Sequence, residues 1–124
     1  MNILFFCPNF FDYHNFLIKA IEKQNHHVHF IEDNLKIEHE ISKLFNRRFD
    51  LILIKSGFNI SKKNILSLKQ HSKKAKVVVY QWDSFLNNPN GINLINYSDT
   101  YYSFDFEDCK MYNLKYKPLF FVDH

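Results

Sequence analysis

The stretch KVVVYQWDS, residues 76–84, decides the fold. Val77, Val78 and Val79 followed by Tyr80 make a short, almost wholly apolar run, the pattern of a strand buried on both faces of a parallel sheet. The run stops at Gln81-Trp82-Asp83-Ser84, where a large amphipathic ring, a carboxylate and a hydroxyl arrive together. Ligands of open α/β sheets bind just beyond the carboxyl ends of the strands, so these groups are placed to face a site.

Outward from this run, the same alternation of elements recurs. Residues 2–7, NILFFC, form an apolar run closed by Pro8-Asn9, which reads as a buried strand ending in a turn. Phe16, Leu17, Ala20 and Ile21 then keep helical spacing, giving a helix over 10–24. Residues 27–31 alternate polar and apolar as a second strand, and an acidic loop, Glu32-Asp33-Asn34, follows it. Ile37, Ile41, Leu44 and Phe45 carry a second helix, and Asp50 to Ile54 a third strand followed by the turn Lys55-Ser56-Gly57. Ser61 is suited to cap a third helix bearing Ile65, Leu66 and Leu68. Beyond residue 84, the turn cluster Asn87-Asn88-Pro89-Asn90-Gly91 leads to a short helix over 92–96, a strand over 99–104 and a helix over 105–112.

Strands alternating with helices predict an α/β fold: a three-layer Rossmann-like domain with a mostly parallel sheet of five or six strands and helices on both faces. The expected strand order is 3-2-1-4-5. That order sets the loops 8–14 and 81–88 on either side of one crevice at the switch point. A chain of 124 residues suits a single domain over 1–124.

Composition removes several function classes. Only 2 glycines are present, so glycine-rich phosphate loops and dinucleotide fingerprints are excluded. The net charge of +3 is spread over separated pairs, Arg47-Arg48, Lys62-Lys63 and Lys73-Lys74, rather than one stripe, so no nucleic-acid partner is expected. Cys7 and Cys109 lack metal or redox spacing and suit a reducing compartment as packed thiols. The opening MNILFFCPNF has neither the positive region nor the apolar length of a signal peptide, so a cytoplasmic protein is expected.

Four segments in order carry a family resemblance: Phe10-Phe11, YQWDS at 80–84, SFDxxD at 103–108 and PLFF at 118–121. In this the chain resembles the amino-terminal half of bacterial CgeB-like glycosyltransferases of lipopolysaccharide or capsule biosynthesis, over nearly its whole length. The resemblance implies one half of a GT-B architecture, two Rossmann-like domains face to face. The first binds the sugar acceptor, and the second holds the nucleotide-sugar donor. It further implies that this chain is the acceptor-side domain, inactive without a C-terminal donor-binding domain, which would be its partner within one chain or as a split chain. No cofactor is implied, and peripheral membrane association is left open for the full enzyme. Cys7 and Asp12 depart from the family, which commonly has glycine at both positions. The alternative is a freestanding Rossmann-like module that binds a small ligand or a protein without catalysis.

Glycosyl transfer needs a base for the acceptor hydroxyl and stabilisation of the departing diphosphate. The candidate bases are Asp83, His14 and Asp12. Against them stand plainer roles: Asp83 as cap of the following turn, Asp12 and His14 as helix-start residues. Candidate substrate-binding residues are Asn9, Phe11, Tyr13, Ser56, Gly57, Trp82 and Ser84, with Trp82 either stacking on a sugar face or packing inward. Asp105 and Asp108 read first as helix-start acids. His27 and His29 point to one side of a strand without a completing ligand set, so no metal is expected.

Overall fold

The computed structural model describes residues 1–8, 13–44 and 46–117, with the Tyr13 side chain outside the description. Six strands, β1 (Asn2–Cys7), β2 (His27–Glu32), β3 (Leu51–Lys55), β4 (Lys76–Gln81), β5 (Thr100–Ser103) and β6 (Lys115–Tyr116), form one sheet in the order β2-β1-β3-β4-β5-β6. Every neighbouring pair runs parallel. Four α-helices connect them: α1 (Tyr13–Glu22), α2 (Ile37–Ser42), α3 (Lys62–His71) and α4 (Phe106–Tyr112), and a 3-10 helix spans Pro89–Tyr97. The fold is therefore the Rossmann-like three-layer sandwich expected.

Two expectations are corrected. The strand order is not 3-2-1-4-5, because β3 lies between β1 and β4 while β2 takes the edge. The reason lies in the side chains. Interior strands of parallel sheets are covered on both faces and need continuous apolar runs. The LILI of β3 satisfies this, whereas β2 carries His27, exposed, and His29, half-buried. The second correction concerns β4, whose burial alternates: Val77, Val79 and Gln81 are buried, but Val78 and Tyr80 only half-buried.

That alternation follows from where the helices lie. The chain leaves β1 towards β2 and then reverses towards β3, so right-handed crossovers put α1 on one face and the later helices on the other. The later-helix face is the core, with Leu4, Phe6, Ile52, Ile54, Val77 and Val79 packed under Ile37, Ile41, Ile65, Leu68 and Leu94. The opposite face meets α1 near β1 and β2, where Phe5 lies against Phe30 and His14 stacks on Phe30 at 4.6 Å.

Local signals set the helix ends. The Ser61 hydroxyl accepts from Asn64 N–H while Ser61 N–H donates to Asn64 Oδ1, a reciprocal cap that starts α3. Asp105 accepts from Asp108 N–H at the start of α4. Asp108 in turn accepts from Phe85 N–H, tying α4 to the loop after β4. Both acids thus do the helix-start work expected of them. No helix among the described residues is long and apolar enough to cross a membrane.

Candidate functional site

With β3 between β1 and β4, the chain reverses direction at the β1/β3 boundary. The crevice of such sheets opens there. It is bordered at the carboxyl edge by Cys7-Pro8 from β1 and Lys55-Ser56-Gly57 from β3, with Trp82-Asp83 one strand further on. The inserted strand moves Lys55 from the periphery to the middle of this edge.

Lys55 is 5% exposed, and its Nζ lies 3.8 Å from the centre of the Trp82 ring. Among the described residues it makes no ion pair, the sole salt bridge there being Lys43 to Glu40. Burial lowers its pKa, against a smaller opposing pull from Cys7 and Asp83. The cation thus sits between the end of β1 and the end of β4, in a place that favours its neutral form.

The turn after Lys55 is strained. Ser56 has φ 69 and Gly57 φ 59, both left-handed, and Gly57 N–H returns to the Lys55 carbonyl at 2.9 Å. A three-residue turn centred on a non-glycine residue at positive φ is rare and costs energy, so surrounding bonds must impose it. They come from across the sheet. Ser56 N–H donates to the Tyr80 carbonyl, Trp82 N–H donates to Ser56 Oγ at 3.3 Å, and Asn88 Nδ2 donates to the Ser56 carbonyl. Asn90 Nδ2 donates to the carbonyls of Gly57 at 2.7 Å and Ile60 at 2.9 Å.

Asp33, 5% exposed, closes the same edge from β2. Its carboxylate accepts from Phe58 N–H at 2.6 Å and Asn59 N–H at 2.8 Å, while its own N–H donates to the Cys7 carbonyl. Burial raises its pKa despite these two donors. Burial also pushes the Cys7 thiol up to about 11.

The sequence candidates divide accordingly. Asp83 and Ser84 are half-exposed beyond β4, and Asp83 accepts no hydrogen bond among the described residues, so it does not cap the turn that follows. Trp82 is half-buried, edge-on to Tyr80 at 5.8 Å and under the Lys55 ammonium. Ser56 and Gly57 are buried and shape the edge through the bonds above. His14 lies instead against β2, three strand spacings from β4, roughly 14 Å at about 4.8 Å each, so it and Asp83 are not brought together. Asn9, Phe11 and Asp12 lie outside the described residues, as does the Tyr13 side chain. Among the histidines, His29 pairs with Arg47 at 3.0 Å and His26 with the amino terminus at 3.0 Å. No cluster of three or more metal-ligating side chains occurs among the described residues.

Asp33, Asn88 and Asn90 are residues that sequence reading passed over as functional or positioning groups, and Lys55, beside Ser56 and Gly57 as a phosphate or sugar contact, reads there more readily as a solvated strand-end lysine. The signal for Lys55 was its place directly after four apolar residues, which carries its stem into the sheet. No family model matches the chain, and no curated protein matches it.

Proposed function

We propose that this chain is the acceptor-side domain of a two-domain glycosyltransferase of bacterial lipopolysaccharide or capsular polysaccharide synthesis. One observation carries the reading: the Asp83 carboxylate stands at the carboxyl edge of the sheet, half-exposed and accepting no hydrogen bond among the described residues. A carboxylate in that state keeps its lone pairs for a ligand. In the proposed reaction Asp83 takes the proton of the acceptor hydroxyl as its oxygen bonds to the anomeric carbon. The bond to the nucleoside diphosphate breaks, and the diphosphate leaves on the opposite, donor-binding domain. Trp82 and Ser84 border the acceptor.

The test is to screen UDP- and GDP-sugars by thermal shift against the chain alone and against the chain joined to a donor-binding domain. The reading expects no shift with the chain alone and a shift in the joined protein, with transfer reduced about a hundredfold or more by Asp83→Asn. A nucleotide-sugar that stabilises the isolated chain overturns the division of labour. Undiminished transfer by Asp83→Asn overturns the role of the carboxylate.

A further inference from the structure

On the α1 face, immediately beneath the Lys55–Trp82 pair, lies a pocket of about 230 Å³ lined by Phe5, Leu17, Ile21, Leu53, Lys55, Tyr80 and Trp82. An apolar cavity of about 150 Å³ already admits benzene, so this one has room for a ring or a short alkyl chain. Its lining is hydrocarbon and aromatic apart from one cation. Asp33 and Lys55 are the two charged side chains buried among the described residues, and both reach the same edge of the sheet. They do not meet, because Asp33 is spent on the N–H groups of Phe58 and Asn59. Among the described residues Lys55 has a ring face for its ammonium and no ion pair, only the weaker pull of Asp83 and Cys7.

Burying a cation without an ion-pair partner costs more than the face of one ring offsets. The turn that follows Lys55 is itself strained and clamped from Trp82, Asn88 and Asn90. Strain and uncompensated charge on adjacent residues mark a place kept for a ligand. We propose that this pocket binds a small apolar carboxylic acid, its hydrocarbon part between α1 and the sheet and its carboxylate on Lys55 Nζ. One ammonium balances one negative charge. A dianionic phosphate would bring a second charge into an apolar pocket that offers no second cation among its lining residues. The pocket carries this independently of sugar transfer.

Trp82 is the only tryptophan in the chain, so its fluorescence reports from the site itself. Hexanoate titrated into the full chain is expected to give a saturable Trp82 response. Lys55→Met, which keeps the stem and removes the charge, is expected to weaken hexanoate at least tenfold while leaving the weak binding of hexanol unchanged. Ile21→Phe, which fills the pocket and spares Lys55, is expected to abolish the response. The proposal is overturned by any of four results: no saturation, equal hexanoate affinity in parent and Lys55→Met, hexanol binding as tightly as hexanoate, or unchanged binding in Ile21→Phe. Tighter binding of hexyl phosphate than of hexanoate overturns the carboxylate assignment.

Discussion

The ammonium of Lys55 lies over the Trp82 ring at 3.8 Å, across the junction of β3 and β4, with no carboxylate among the described residues close enough to pair with it. Burial holds the Lys55 pKa below its ordinary 10.5. A group whose pKa is lowered on folding contributes stability that is present above its unfolded pKa and lost as pH falls through the folded one. Below that value the charged form burdens the fold. Lys55→Met should therefore raise stability at pH 7 by about 1 kcal/mol, the loss of the ring contact partly cancelling the relief of burial. Urea unfolding midpoints of parent and variant should differ at pH 7 and converge as the pH approaches 10.5. A variant less stable than the parent at pH 7 would mean that the ammonium is compensated.

Asp33 joins the end of β2 to the chain beyond β3 through two backbone donors, at 2.6 Å and 2.8 Å. Asp33→Asn keeps the shape but turns an NH2 group towards one of those N–H groups, leaving a buried donor unpaired. The expected cost is about 1 to 3 kcal/mol in urea unfolding. Hydrogen exchange localises it: the amides of Phe58 and Asn59 should lose protection in the variant, while those of β5 keep theirs.

Much of this edge was legible beforehand. The LILI and VVVY runs identify interior strands, and Ser61 announces the cap that it forms with Asn64. The strand order was misread: the histidines of β2, which suit an edge better than an interior position, were the signal that the expected order 3-2-1-4-5 passed over. What periodicity does not carry is the unequal cover of the two faces. Val78 and Tyr80 look like Val77 and Val79 in sequence, yet they are less buried because α1 covers the β1 and β2 side of that face. The clamp on Ser56 is hidden for another reason. Asn88 and Asn90 sit in a segment whose composition says only turn, and their partners lie 32 and 33 residues away. Nor does sequence reveal that Asp33, in what reads as an exposed acidic loop, is buried.

Gly57 combines a left-handed φ of 59 with a crowded site, since a Cβ there would stand 2.5 Å from Leu94 Cδ1. Leu94 is fully buried and has little room to withdraw. Gly57→Ala should cost about 2 to 4 kcal/mol, the conformational penalty adding to overpacking. Gly91→Ala is crowded without the conformational term: its Cβ would meet Gln81 Oε1 at 2.8 Å and Tyr101 Oη at 2.9 Å. It should cost about 1 to 3 kcal/mol. Chemical denaturation of both variants checks the ranking, and a Gly57→Ala protein as stable as the parent would show that Leu94 yields freely.

The thiol of Cys7 completes the edge and should be inert in the native chain. It is fully buried, and burial lifts its pKa from 9.0 to about 11, with Lys55 opposing and Asp33 assisting. That difference alone lowers the thiolate fraction at pH 8 about a hundredfold, and thiolate is the reactive form. Cys109 is buried as well, with its thiol also raised, and its S–H lies 3.6 Å from the Ser103 carbonyl. A disulfide-exchange reagent at pH 8 should thus modify Cys7 at least a hundredfold more slowly in buffer than in denaturant, and Cys109 more slowly as well. Because the Cys7 pKa is raised on folding, the stability linked to its neutral form is complete below pH 9 and is lost as the pH climbs through about 11. Cys7→Ala removes that loss, so its stability should decline less than the parent's between those two values. Rapid labelling of one thiol in the native chain would place Cys7 in a more open or more cationic setting than the ends of β1 and β3 provide.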